Sequence, residues 1–85
     1  MKVVEYVITD DYGLHARPAG MLVEMVAKFK SDIQIASPKK EVSAKRIMVV
    51  MSLGAKKGET IKLTISGEDE AEAAKALQTF LKANL

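Results

Sequence analysis

From Lys2 to Thr9 the chain alternates, with Val4, Tyr6 and Ile8 on one side and Val3, Glu5 and Val7 on the other. Period-two alternation rich in β-branched residues predicts a strand. The run DDYG breaks it. From Pro18 the apolar spacing becomes helical, with Ala19, Leu22, Val23, Val26 and Phe29 recurring at three and four residues. Proline suits a first helical turn because its missing N–H has no partner there in any case. The helix therefore begins within HARPAG, with His15 near its N-cap. IQIAS then predicts a second strand with Ile33 and Ile35 on one face. Ser37, Pro38, Lys39 and Lys40 turn the chain into a short strand, EVSA, closing a hairpin.

Ile47 to Leu53 is apolar nearly all round, too short for a long helix, and followed by Gly54, a residue suited to ending a helix. A short helix is the expectation there. AKKGET turns the chain, and IKLTI predicts a fourth strand with Ile61, Leu63 and Ile65 facing inward. The last segment, GEDEAEAAKALQTFLKANL, is the clearest helix. Asp69 and Glu72 have capping-box spacing, acids fill the first turn where the helix dipole favours them, and Ala73, Ala74, Leu77, Phe80 and Leu81 form a buried stripe. Each strand has one apolar face, so the three helices should cover one side of a four-stranded antiparallel sheet. The fold class expected is α+β, an open-faced sandwich in the order strand, helix, strand, strand, helix, strand, helix.

Eighty-five residues suffice for one domain, 1–85, and not for two. No cysteine is present, which removes disulfides and thiolate metal sites and fits a reducing cytoplasm. The N-terminal apolar run is too short for a secretion signal, and no stretch approaches the ~20 apolar residues of a membrane span. A soluble cytoplasmic protein without membrane insertion is expected. Net charge is only +2 but unevenly spread: residues 12 to 58 carry nine Lys and Arg against three acids, and acids predominate on either side. The basic middle holds His15, the only histidine.

An isolated histidine is commonly a surface or capping residue without chemistry. Its neighbours here favour a further reading. The start of a helix offers several unpaired N–H groups and about half a positive charge, a ready anion site. Arg17 adds a guanidinium fork that matches phosphate oxygens. Imidazole, with an ordinary pKa of ~6.5, is partly neutral and nucleophilic at cell pH and also leaves readily. The three features suit one phosphoryl group held transiently. Autonomous hydrolysis would call for a metal or a second acid or base. Only Asp10 and Asp11 lie near in sequence, at a turn that gives little reason to expect a metal site, so neither enzyme activity nor a metal or other cofactor is expected. The pI near 8.9 and GAKKGET prompt a nucleic-acid reading. Four aromatic residues without a stacking cluster argue against it, and Lys56 and Lys57 more simply decorate a turn.

GLHARPA and the later MSLGAKKGETIKL, within a resemblance that spans nearly the whole chain, are similar to HPr, the histidine-containing phosphocarrier family of the phosphoenolpyruvate-dependent sugar phosphotransferase system. The HARPA form resembles Gram-positive members. The resemblance implies that His15 accepts a phosphoryl group on Nδ1 from phosphorylated enzyme I and passes it to enzyme IIA components of sugar permeases. Arg17 and the amides around Ala16 and Arg17 would hold that group. It further implies that partners dock through Gly20, Ile47, Met48, Met51 and Gly54; Arg46 is expected to favour acidic partners on that face, Met21 and Met25, one turn apart, to extend it, and the chain to be a monomer. Val50 and Leu53 are expected in the core. Methionine repacks against different surfaces, which suits a carrier with several partners. Arg46 stands where Gram-positive relatives usually have a regulatory serine, and Val49 where glycine is frequent. Transfer without control at position 46 is therefore expected, together with a short helix that has lost a hydroxyl cap. A regulatory paralogue, acting by binding a transcriptional regulator, is the alternative. The sequence leaves open whether Leu85 approaches the site.

Overall fold

The computed structural model describes residues 1–85. Four strands, β1 (Lys2–Val7), β2 (Asp32–Ala36), β3 (Glu41–Ser43) and β4 (Thr60–Ser66), form one antiparallel sheet in the order β1-β4-β2-β3. The register explains the core. Val4 lies opposite Leu63 and Tyr6 opposite Ile61, while Ile35 and Ile33 meet Leu63 and Ile65 from the other side of β4. Because successive side chains point to opposite faces, this register gathers the apolar residues of three strands on one face. Ile33, Ile35, Ile61, Leu63 and Ile65 are completely buried. The opposite face keeps Glu5 across from Lys62 and leaves Val3 and Val7 exposed.

Helices α1 (Ala16–Val26), α2 (Ile47–Met51) and α3 (Glu70–Asn84) cover the apolar face. α3 packs on β1 and β4, α1 lies between α3 and α2, and α2 rests against α1 and β3. Ala19, Leu22 and Val26 of α1 enter the core with Val50 of α2 and Ala73, Leu77, Phe80 and Leu81 of α3. The hairpin turn closes where expected, with Ser37 N–H donating to the Lys40 carbonyl at 2.8 Å.

Element ends differ from the sequence reading in physically interpretable ways. β1 stops at Val7, although Ile8 stays buried and pairs with the loop around Gly58 and Glu59. α1 ends at Val26, and Phe29 follows in a tighter turn, its N–H donating to the Val26 carbonyl three residues back. α2 covers Ile47–Met51, and Leu53 and Gly54 continue it with the same three-residue bonds.

The expected capping box at Asp69 and Glu72 does not form. Asp69 makes no side-chain cap bond; its carboxylate accepts hydrogen bonds from the N–H groups of Lys30 and Ser31, at 2.8 and 2.9 Å, and from the Ser31 hydroxyl. The reach back across the helix start comes from Glu70, which accepts the Gly67 N–H at 3.2 Å. Asp69 thus ties α3 to the entry of β2 and satisfies the buried Ser31.

The Ser31 hydroxyl and the Lys30 and Ser31 amides hold the Asp69 carboxyl below its ordinary pKa. The unfolded chain then takes up the proton at higher pH than the folded one. The contribution is complete above the unfolded carboxyl value, ~3.9, and is lost as pH falls through the lower folded value. In thermal melts across pH, Asp69→Asn should lower Tm at neutral pH and lose part of the acid-induced decline, because its NH₂ would face one of the three donors.

Candidate functional site

The segment from Ile8 to Leu14 leads β1 into α1 and is gripped from both flanks. On one side the N–H groups of Thr9 and Asp10 donate to the main-chain oxygen of Leu85 at 2.6 and 2.8 Å, and the Thr9 hydroxyl joins them. On the other side Leu14 N–H donates to the Ala55 carbonyl at 3.0 Å, and the Lys57 ammonium pairs with Asp11 at 2.7 Å. That ion pair is exposed, and each partner strengthens the charged form of the other. Gly13 turns the chain between these anchors with φ +66, and a Cβ there would lie 2.4 Å from the Ala55 oxygen. Only glycine fits so close an approach in a left-handed conformation.

This turn delivers His15 to the N-cap of α1 in an extended conformation (φ −90, ψ −176), with no cap bond from its side chain. The His15 carbonyl receives the Ala19 N–H at 3.0 Å, and its own N–H donates to the Gly13 carbonyl at 3.0 Å. Pro18 has no N–H. Ala16 and Arg17 are left as the two main-chain donors of the first turn with no acceptor in the protein. Both residues are exposed.

His15 and Arg17 share an open cleft of about 350 Å³, floored by Pro18 and Met21 and walled by Asp10, Tyr12 and the end of α3 at Asn84. The imidazole is 38% exposed and so open to a group arriving from solvent. Its Nε2 lies 3.7 Å from Asp10 Oδ1, and the Tyr12 ring stands edge-on to it at 5.8 Å between centroids. Arg17 makes no ion pair, so its guanidinium is free for an anion. The structure places His15, Arg17 and the Ala16 and Arg17 amides together at one end of α1, and the main-chain oxygen of Leu85 anchors the loop that carries them. Asp10, Tyr12 and Asn84 had not been recognised as lining the cleft.

The expected partner face is exposed to varying degrees. Met48 is 75% exposed, and Ile47, Met51 and Met21 are partly so. Gly54 is open and ends the α2 turn with φ +60. Gly20 is half-buried; a Cβ there would come 3.3 Å from Ile47 Cδ1, so this position sets the approach of α1 to α2. Met25 packs against the core, and Val50 and Leu53 are buried in it. Arg46 occupies the N-cap of α2 without a side-chain cap bond. It lies beside Lys45 on a shallow cleft with Ser43 and Val49, and neither cation is paired. No helix is long and apolar enough to cross a membrane.

The family model for the PTS HPr component phosphorylation site matches residues 3–83. Among solved structures, HPr-C-His from Thermoanaerobacter tengcongensis is 44% identical with a TM-score of 0.90, covering 98% of this chain and 93% of that one. The histidine-containing phosphocarrier protein of Mycoplasma is 35% identical with a TM-score of 0.93, covering 96% and 93%. Crh, the Bacillus subtilis catabolite repression protein, in a structure described as a domain-swapped dimer, is 35% identical with a TM-score of 0.76, covering 94% and 92%. The chain belongs to the HPr family of the sugar phosphotransferase system. Family and fold support a phosphocarrier role, that of a non-catalytic carrier.

Proposed function

We propose that this chain is a cytoplasmic, monomeric phosphoryl carrier that takes phosphate from phosphorylated enzyme I on His15 and gives it to enzyme IIA components. The observation that carries this reading is the imidazole at the N-cap of α1, in one cleft with an unpaired guanidinium and next to two unpaired amides. The Nδ1 lone pair attacks phosphorus, and the bond to the donor breaks with its electron pair returning to the donor. Phosphoryl oxygens then accept hydrogen bonds from the Ala16 and Arg17 amides and from the guanidinium, at the positive end of the helix dipole. Partners dock over Gly20, Arg46, Ile47, Met48, Met51 and Gly54. Free Arg46 and Lys45 speed encounter with acidic surfaces. Position 46 has no hydroxyl, so no phosphoester forms there and serine-based control at that site is lost. A serine kinase of the pathway that blocked transfer by phosphorylating Ser43 or Ser52 would refute that release from control.

The test is a relay. Incubated with labelled phosphoenolpyruvate and enzyme I, the chain should acquire one acid-labile phosphoryl group and surrender it when an enzyme IIA is added. A label stable to acid, or none, rejects the carrier reading. Arg17→Lys keeps the charge but loses the bidentate fork, and should slow loading about tenfold. The similarity to Crh favours a second reading, a regulatory paralogue. Loading from enzyme I without passage to any enzyme IIA would support that one.

A further inference from the structure

We propose that Asp10 is the positioning residue of this site: its carboxylate holds the proton of His15 on Nε2, leaving the lone pair on Nδ1 to take the phosphoryl group. This rests on the reading of His15 as the acceptor.

Asp10 Oδ1 lies 3.7 Å from His15 Nε2, with both side chains roughly a third exposed. The carboxylate is not free to swing. The same Oδ1 accepts the Tyr12 N–H at 2.8 Å, and the Asp10 N–H is tied to the Leu85 oxygen at 2.8 Å. The Tyr12 ring stands edge-on to the imidazole, inclined at 71° to it. Neither ring nitrogen has a hydrogen-bond partner in the protein, so Asp10 is the acceptor placed to choose between the tautomers. The neighbouring Asp11 is occupied by Lys57. A separation of 3.7 Å is longer than a hydrogen bond, as is common at catalytic contacts before a partner closes over them.

The chemistry balances without a proton leaving the ring. On loading, the bond from Nδ1 to phosphorus forms as the donor's bond breaks. The ring becomes cationic with its proton kept on Nε2, where the Asp10 carboxylate offsets the charge. On transfer, the Nδ1–P bond breaks, its electron pair returns to Nδ1, and the same proton remains. A ring protonated on Nδ1 would have to lose that proton before attacking.

Nitrogen NMR of His15 in the full, unphosphorylated chain, about two pH units above the ordinary imidazole pKa of ~6.5, reads the tautomer directly. The native ring should be almost wholly protonated on Nε2, and Asp10→Ala should raise the Nδ1-protonated fraction several-fold. Asp10→Asn keeps an acceptor for Nε2 and for the Tyr12 N–H, and should restore the native pattern. Asp10→Ser can still cap the turn but is too short to reach the ring, and should behave as alanine does. Loading from enzyme I should fall on the order of tenfold in the alanine and serine variants, which lose both the acceptor and the charge that offsets the ring cation, the low end of what losing a histidine's orienting partner costs at metal sites, and recover only in part in the asparagine variant, which restores the acceptor alone. Equal Nε2-protonated fractions in native, alanine and serine chains would overturn the assignment, as would a serine variant indistinguishable from native. Because the spectra need no phosphorylation, a native chain that enzyme I never loads defeats the carrier reading without deciding this one.

Discussion

Alanine at position 15 should abolish phosphoryl loading while leaving the fold nearly unchanged. The imidazole is partly exposed and makes no hydrogen bond from its ring. It occupies the α1 N-cap without supplying a side-chain cap, so truncation leaves no main-chain donor newly unpaired. Surface substitutions of this kind change stability by about 0.5 kcal/mol or less. No second histidine can take over, and no cysteine is present to do so. Intact mass after incubation with phosphoenolpyruvate and enzyme I, beside a thermal melt, checks both halves. A variant that still loads, or one that unfolds, contradicts the site.

Gly13→Ala should instead damage stability and transfer together. Alanine at φ +66 costs about 1–2 kcal/mol in the left-handed region, and its Cβ would press on the Ala55 oxygen and Lys56 Cα, at 2.4 and 2.9 Å. Both neighbours are main chain, so relief requires one loop to move. Overpacking of this kind adds about 1–3 kcal/mol. The expected loss is about 2–5 kcal/mol, the sum of those two effects. The loop that moves also carries the Leu14–Ala55 bond and places His15. Denaturant titration measures the first effect and the rate of loading the second. Native stability in this variant would show that the contact with Ala55 is not as tight as the geometry gives it.

What the sequence made legible was what depends on local pattern. Alternation in residues 2–9 and 61–65 places the right side chains in the core, and the shift to helical spacing after Pro18 locates α1 with His15 at its N-cap. The lost cap of α2 was also readable, since no side chain replaces the absent hydroxyl. What escaped depends on residues far apart in the chain. Asp69 leaves its expected capping role because Lys30 and Ser31, nearly forty residues earlier, offer it three donors. Gly13 is held by a loop at Ala55, and Asn84 reaches the cleft from the far end of the chain. No local pattern marks Asp10; its place beside Nε2 follows from the turn that its own carboxylate caps for Tyr12.

On this reading one nitrogen of His15, Nδ1, carries the phosphoryl group. A long-range proton–nitrogen spectrum of the isotope-labelled chain, recorded before and after loading by enzyme I and phosphoenolpyruvate, tests it most directly. The expected result is a large shift and a phosphorus coupling at Nδ1 of His15, with the proton retained on Nε2. Phosphorus coupled to Nε2, or a loaded chain whose imidazole nitrogens are unmoved, would contradict it.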